Sequence, residues 1–252
     1  MKIGPLLFAL AQLLPAWAIA ASAHQEVTAL ADECTLGSSK GAAPAKIEAA
    51  CNAAIEAKAF YGKQLALLYL GRANVYDFMG HKAEALADYN KAIELAPDAT
   101  GIYYNRGVYY TEAGDLDAAL SDYNSELKNN PNMVSALFNR ARILAARQRY
   151  DEAMADFTRA IHVSPDTAIL RAERGGLYVR QGEFNKAAED ENQAIRLDPK
   201  LALAYLYRGM AYGKLGDSEK ATDDIKTAIG LDPSLAKNVK LTPNDAQSTP
   251  AP

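Results

Sequence analysis

The chain has 252 residues, 27 of them Lys or Arg and 31 Asp or Glu, for a formal charge of −4. That balance speaks against nucleic acid, whose binders carry a basic stripe, and no run of like charge forms a binding tail. The three histidines, His24, His81 and His162, stand at no ligand spacing from the two cysteines, so no metal centre is expected.

Residues 1–23 read as a secretory signal peptide. Lys2 precedes an apolar run from Ile3 to Ala21, interrupted by Gly4, Pro5, Gln12 and Pro15, and Ala21-Ser22-Ala23 supplies a small-residue cleavage pattern. The run approaches spanning length, so an uncleaved anchor competes; Pro15 and the small-residue end favour cleavage. A lipid anchor is disfavoured, because Cys34 follows Asp32-Glu33 and does not close the apolar run. Cleavage would remove Trp17, the one tryptophan. It would export the chain to an oxidising compartment, where a Cys34–Cys51 disulfide is the default. The bond would close a loop of about 17 residues and contribute about 3 kcal/mol; two free buried thiols are the alternative.

Residues 24–43, with Gly37-Ser38-Ser39-Lys40-Gly41, read as a loop. A helix is expected from Pro44 to about residue 59, since a proline is tolerated in the first turn. Glu48–Ala57 aligns with Leu86–Leu95 and sets Cys51 in the place of Tyr89, so this helix is the second half of a degenerate leading repeat. Residues 24–65 thus form a cap, and a repeat array needs one at an end that has no neighbour.

From residue 66 the chain counts in steps of 34. Pro97, Pro131, Pro165, Pro199 and Pro233 mark five units: 66–99, 100–133, 134–167, 168–201 and 202–235. Arg72, Arg106, Arg140, Arg174 and Arg208 keep the same beat, as do Asp88, Asp122, Asp156, Asp190 and Asp224, and Ala85, Ala119, Ala153, Ala187 and Ala221. A fixed period of this length signals a helical repeat array. Each unit shows two amphipathic helical stripes. Gly80, Gly114, Gly182 and Gly216 stand where the first helix ends, as left-handed caps; Gln148 replaces them in the third unit, where a slightly strained or differently built turn is expected. Asp98, Asn132, Asp166 and Ser234 follow the prolines and read as N-caps, a row that Lys200 breaks. Small residues at Ala73, Gly107, Ala141, Gly175 and Gly209 let the helices approach, with Tyr76, Tyr110, Leu144, Tyr178 and Tyr212 as core filling beside them. Residues 236–240 could add a helical turn, and Thr242 to Pro252 has too little to bury to hold a fold.

Little here carries reaction chemistry. The Arg and Asp rows read as structural pairs at the surface, each contributing ~0–1 kcal/mol. Glu126 and Glu191 stand where the repeat wants Ala and Tyr, so each should be paired, protonated or turned outward, with pairing to a nearby Arg the first expectation. No phosphate loop, zinc spacing or nucleophile with supporting context occurs, and neither an enzyme nor a cofactor is expected.

The pattern carried by Gly107, Tyr110, Ala119, Tyr123 and Pro131, repeated in five units over about two-thirds of the chain, resembles the tetratricopeptide repeat (TPR) family. The resemblance implies an all-α, right-handed α-α superhelical solenoid of five TPR units plus the N-terminal half repeat. The exported chain with its cysteine pair is similar to periplasmic bacterial members. The family implies a non-enzymatic protein-interaction scaffold that binds a protein segment in a concave groove lined by the first helix of each unit. Carried over, the groove positions are Leu67, Leu70, Asn74 and Asp77; Tyr104, Val108 and Thr111; Ser135, Phe138, Arg142 and Ala145; Ile169, Ala172, Gly176 and Val179; and Leu203, Leu206 and Met210. Tyr104, Phe138, Leu206 and Met210 would be apolar anchors, with Arg142 and Arg180 as local cations. The family's Lys and Asn clamp for a peptide carboxylate is absent, because only Asn74 fits it and Leu70 stands at the lysine position. Such an array would contact a membrane only through its partners. The alternative reading is a self-assembling structural component of the cell envelope.

Overall fold

The computed structural model describes residues 16–37 and 39–237. Among them the fold is all-α, with no strand. The chain divides into two compact units at Tyr109–Tyr110, inside one helix.

The first unit holds α1 (Ala16–Leu36), α2 (Pro44–Glu56), α3 (Gly62–Phe78), α4 (Lys82–Leu95) and the start of α5 (Ile102–Ala113). Residues 24–36, expected as a loop, are helical. Val27, Leu30, Ala31 and Cys34 make a short stripe at helical spacing, and Leu30, Ala31 and Cys34 pack with Ile47, Cys51, Ala54, Leu68 and Val75. The leading segment is therefore a helix pair, α1 on α2, with both packed on α3. Cys34 and Cys51 are bonded, so the disulfide joins two helices where a helix and a loop were expected. α3 comes close at Gly71, where a Cβ would stand 2.8 Å from the Cys34 carbonyl oxygen. Residues 1–15 of the expected signal peptide lie outside the described residues, whereas the backbone of α1 runs unbroken past Ala23. Among the described residues no helix is long and apolar enough to cross a membrane.

The second unit continues from α5 through α6 (Leu116–Asn129), α7 (Val134–Ala146), α8 (Tyr150–Val163), α9 (Ala168–Gln181), α10 (Phe184–Leu197), α11 (Ala202–Leu215) and α12 (Ser218–Leu231). From α6 on, each helix packs on the next, and α9 also packs on α11. Alanines make the approach possible: Ala172, Ala194 and Ala204 meet with no exposed surface. Aromatic side chains of the second helices fill the larger gaps. Tyr89 in the first unit, and Tyr123 and Phe157 in the second, are buried, each contributing about 1.5–3 kcal/mol of apolar burial. Residues 233–237 form a 3-10 helix, three residues ahead of the turn expected over 236–240; Thr242 to Pro252 lies outside the described residues.

The ladder prolines act as turn residues. The N–H of residue 99, 133, 167, 201 or 235 donates to the C=O of residue 96, 130, 164, 198 or 232, so each proline is second in a four-residue turn. Its fixed φ suits that place. This geometry displaces the expected N-caps. Met133, Thr167 and Leu201 are the capping residues of α7, α9 and α11, and none gives a side-chain cap. Asn132, Asp166 and Lys200 fall inside the turn instead, where a lysine is tolerated as well as an acid. At the other helix ends, Gly80, Gly114, Gly182 and Gly216 all have positive φ, and Gln148 adopts the same backbone at φ 61°.

The arginine row forks. Arg72 donates Nε and Nη2 to Asp88 at 2.7 and 2.9 Å, and Nη1 to Asn52 of the preceding helix pair at 2.7 Å. Arg140, Arg174 and Arg208 repeat the bidentate bond to Asp156, Asp190 and Asp224, with Nη1 on Asn124, Thr158 and Asn192. The pairs are structural as expected, but they are not at the surface: the aspartates are buried. Each arginine ties its own unit to the one before. The tyrosine row also differs from expectation. Tyr76, Tyr178 and Tyr212 are half-buried and lie 5.7, 5.9 and 5.9 Å from the guanidinium carbons of Arg72, Arg174 and Arg208. They cover the forks and leave the core to the second-helix aromatics.

Candidate functional site

The expected groove residues divide between the two units; in the second, α7, α9 and α11 line a common hollow. In the first unit Leu67, Leu70, Tyr104 and Val108 are half-buried. Asn74, the one residue fitting the family's clamp, accepts the Tyr89 hydroxyl at 2.8 Å. Asp77 pairs with Lys82. Both polar positions are engaged within the chain.

The second unit holds the better-formed site. Thr111 shares a 3.0 Å hydrogen bond with the Tyr123 hydroxyl. Phe138 is half-buried, edge-on to Phe157 with centroids 6.0 Å apart, and the Arg142 guanidinium lies 5.6 Å above its ring. The Arg142 side chain is 60% exposed and reaches Glu173 at 3.6 Å. Around this pair opens a hollow of about 480 Å³, bounded by Arg142 and Ala145 of α7, Glu173, Gly176 and Arg180 of α9, and Leu203 and Tyr207 of α11, with Gln148 and Tyr150 at one end. A Cβ at Gly176 would stand 2.6 Å from the Tyr207 ring, so only glycine lets that ring form the wall.

The electrostatics are those of a partly dry cleft. Burial raises the Glu173 carboxyl above the usual range, against the pull of Arg142 and Arg180. Burial also raises the Tyr207 phenol, assisted by the neighbouring Glu173, so the phenol keeps its proton as a donor. Two guanidinium groups and a phenol can thus meet an acceptor, with aliphatic and aromatic carbon on either side.

Other expected positions fall elsewhere. Ala172 is buried, because a methyl group at a position held elsewhere by Leu70, Tyr104, Phe138 and Leu206 is covered by the adjoining helices; it lines no groove. Met210 is 43% exposed and lines a separate hollow of about 320 Å³ with Val179 and Ile225. Ser135 is exposed, while Ile169, Val179, Leu203 and Leu206 are half-buried. Sequence reasoning missed Glu173 and Tyr207, which lie one residue beyond the row of Ala172 and Leu206. The available signal was Gly176, a missing side chain where other units carry Asn74, Val108, Arg142 and Met210.

The two misplaced acids are both buried, so neither is turned outward. Glu191 has no hydrogen-bond partner for either carboxylate oxygen among the described residues. Burial, with Asp190 nearby, pushes its carboxyl up to about 10, so it is protonated at neutral pH. It fits because the neighbouring residue of α9 is Gly175, where a Cβ would stand 2.1 Å from Oε1. Among the described residues no group of His, Cys, Asp and Glu could hold a metal ion.

Comparison with known proteins gives a consistent outcome. Family models described as tetratricopeptide repeat match residues 70–133, 112–168 and 202–235, and one described as TPR repeat matches 175–216. No curated protein matches. Among solved structures, a tetratricopeptide repeat protein from Parabacteroides merdae ATCC 43184 is 24% identical, covering 88% of this chain and 83% of its own, with a TM-score of 0.64. YrrB, described as a TPR protein with an unusual peptide-binding site, is 23% identical over 69% of this chain and 92% of its own, with a TM-score of 0.60. MamA is 21% identical over 71% and 98%, with a TM-score of 0.61.

Proposed function

Because the chain belongs to the tetratricopeptide repeat family, we propose that it is a non-enzymatic scaffold that binds a protein segment along its first-helix face. The observation that carries this reading is the hollow between Arg142, Arg180 and Tyr207, lined also by Leu177 and Leu203, with the Phe138 ring beneath the Arg142 guanidinium. An extended or helical segment recognised in a groove needs apolar anchors for affinity and a few polar groups for register. Here the anchors are carbon on three neighbouring helices, and the polar groups offer donors to an acidic or carbonyl-rich segment. The recognition does not use the Lys and Asn clamp, just as the peptide-binding site of YrrB is described as unusual. Export to the periplasm is part of the proposal, on the strength of the Ala21-Ser22-Ala23 pattern and a formed disulfide.

The test is capture from an envelope extract on the immobilised protein, with partners identified by mass spectrometry. Phe138→Ala combined with Arg142→Ala should abolish capture while the helical circular dichroism spectrum is kept. Undiminished capture by that folded variant would remove the hollow from the binding site.

A second reading, self-assembly, would bury Tyr61 and Phe78, 74% and 80% exposed at the two ends of α3; single exposed aromatics are ordinary on a surface, so another copy would have to cover both. This reading requires a mass that rises with concentration in light scattering and falls in Phe78→Ser; a constant monomer mass excludes it.

A further inference from the structure

A second hollow, of about 290 Å³, opens among α6, α7 and α8 and shares no lining residue with the first. Its walls include Leu120 and Asn124 of α6, Arg140 and Leu144 of α7, and Glu152 and Asp156 of α8. The repeat itself explains what this space is. In the other four repeats the position of Leu144 is a tyrosine, and in the first, fourth and fifth its ring lies against the arginine of the fork. Those rings have matching surroundings. Beside Tyr178 and Tyr212 stand the Arg174–Asp190 and Arg208–Asp224 pairs, Thr158 or Asn192 bonded to the arginine's Nη1, and Lys186 or Lys220 with its ammonium 5.6 or 5.2 Å from the ring.

Stepping by 34 residues converts that cradle into the walls of the hollow: Arg140 with Asp156, Asn124, and Glu152 in the lysine position. Only the ring is missing. Leu144 turns inward and is 4% exposed, and no ring lies against Arg140 among the described residues. The Arg140 side chain is correspondingly more open, at 24%, than Arg72, Arg174 and Arg208 at 16–19%.

We propose that this hollow is a docking seat for a tyrosine side chain of a partner protein. The guanidinium face attracts the π face of a ring that enters, while the fork holds Arg140 in place through bonds to Asp156 and Asn124. The chain's own repeats fill the equivalent space with tyrosine, at Tyr76, Tyr178 and Tyr212. Glu152, in the lysine position, is neutralised by Arg149, which bonds each of its carboxylate oxygens at 2.7 Å. The seat stands independently of the first-helix hollow, and a protein segment using both would be gripped on two sides of α7.

The experiment follows the Arg140 Nε–H resonance of the full chain by NMR while N-acetyl-Gly-Tyr-Gly-amide is titrated. A saturable upfield ring-current shift at Arg140 is expected, with Arg174 and Arg208 unmoved. The leucine analogue of the peptide should bind about two- to fivefold more weakly and give no ring-current shift. Leu144→Tyr supplies the ring from within the chain and should shift Arg140 upfield without peptide, abolishing the response. Should that variant misfold, Ala155→Leu, at an exposed position lining the same hollow, should weaken the response as well. No shift at Arg140, equal shifts at Arg174 and Arg208, or a response undiminished in both variants would overturn the proposal.

Discussion

Glu191 is where one residue departs furthest from its repeat. Its carboxyl stays protonated in the fold up to about pH 10, whereas in the unfolded chain it ionises near the ordinary value of about 4.3. The folded state therefore holds a proton that the unfolded state has released between those limits. Stability from this group is full below the lower value and falls as pH rises through the window. Glu191→Ile copies the arrangement the chain already uses at Ile225 opposite Gly209. It should raise stability at pH 8 by more than the about 1–3 kcal/mol cost of a buried unsatisfied polar group, because the protonation cost adds to it, and flatten the pH dependence of the urea midpoint between pH 5 and 8. Parallel pH curves for the two proteins would refute the protonated carboxyl. Phase alone marked Glu126 and Glu191 as misfits in the sequence, but the protonation state was not legible, because it depends on Gly175 leaving room for a carboxyl with no donor. At Gln148 the sequence left open a strained or a rebuilt turn, and the strained one occurs: its left-handed backbone, φ 61°, costs about 1–2 kcal/mol for a residue with a Cβ. Gln148→Gly should recover about 0.5–1 kcal/mol of this after glycine's own entropic cost, read as a higher thermal midpoint.

At the level of elements, the forks hold one helix pair to the next. Asp156 is buried and accepts both bonds from Arg140, whose side chain keeps about a quarter of its surface in water. Asp156→Ala leaves that guanidinium half-desolvated with one bond, to Asn124. The expected loss is about 2–3 kcal/mol, below the 3–5 kcal/mol of a fully buried pair because water can still reach Arg140. The double variant Arg140→Met with Asp156→Leu should recover most of it, as measured by denaturant unfolding. Loss in the double variant equal to the sum of the single losses would mean that the pair itself has no special coupling. The period, the helix pairs and the small-residue approaches were all legible, since each is a contact repeated at a fixed step. The helix starts were not: Asp98, Asn132 and Asp166 look like caps, but the proline before them closes a four-residue turn and moves the helix start beyond them. Nor was α1, whose stripe of Val27, Leu30, Ala31 and Cys34 spans barely two turns and becomes a helix by packing on α2 and α3.

For the whole molecule, the first unit depends on a feature that the second lacks. Its leading helix α1 packs on α2 and α3, and the Cys34–Cys51 bond fixes it there at a point where both cysteines are buried. Cleavage after Ala23 would shorten α1 yet leave Leu30, Ala31 and Cys34 in the packed cluster, so the bond would hold a helix of few turns that could not persist alone. Closing a loop between residues 17 apart in sequence restricts the unfolded chain by about 3 kcal/mol. Reduction of the protein should lower its unfolding free energy by about that amount. In a repeat array each pair stabilises mainly its neighbours, so hydrogen exchange should quicken first in residues 24–56 while residues 184–231 keep their protection. Reduction that leaves exchange in α1 and α2 unchanged would show the bond to be incidental to the fold. The same sample tests export directly: with Trp17 removed by cleavage, its emission should be that of tyrosine alone, and a tryptophan band would show that the leader is retained.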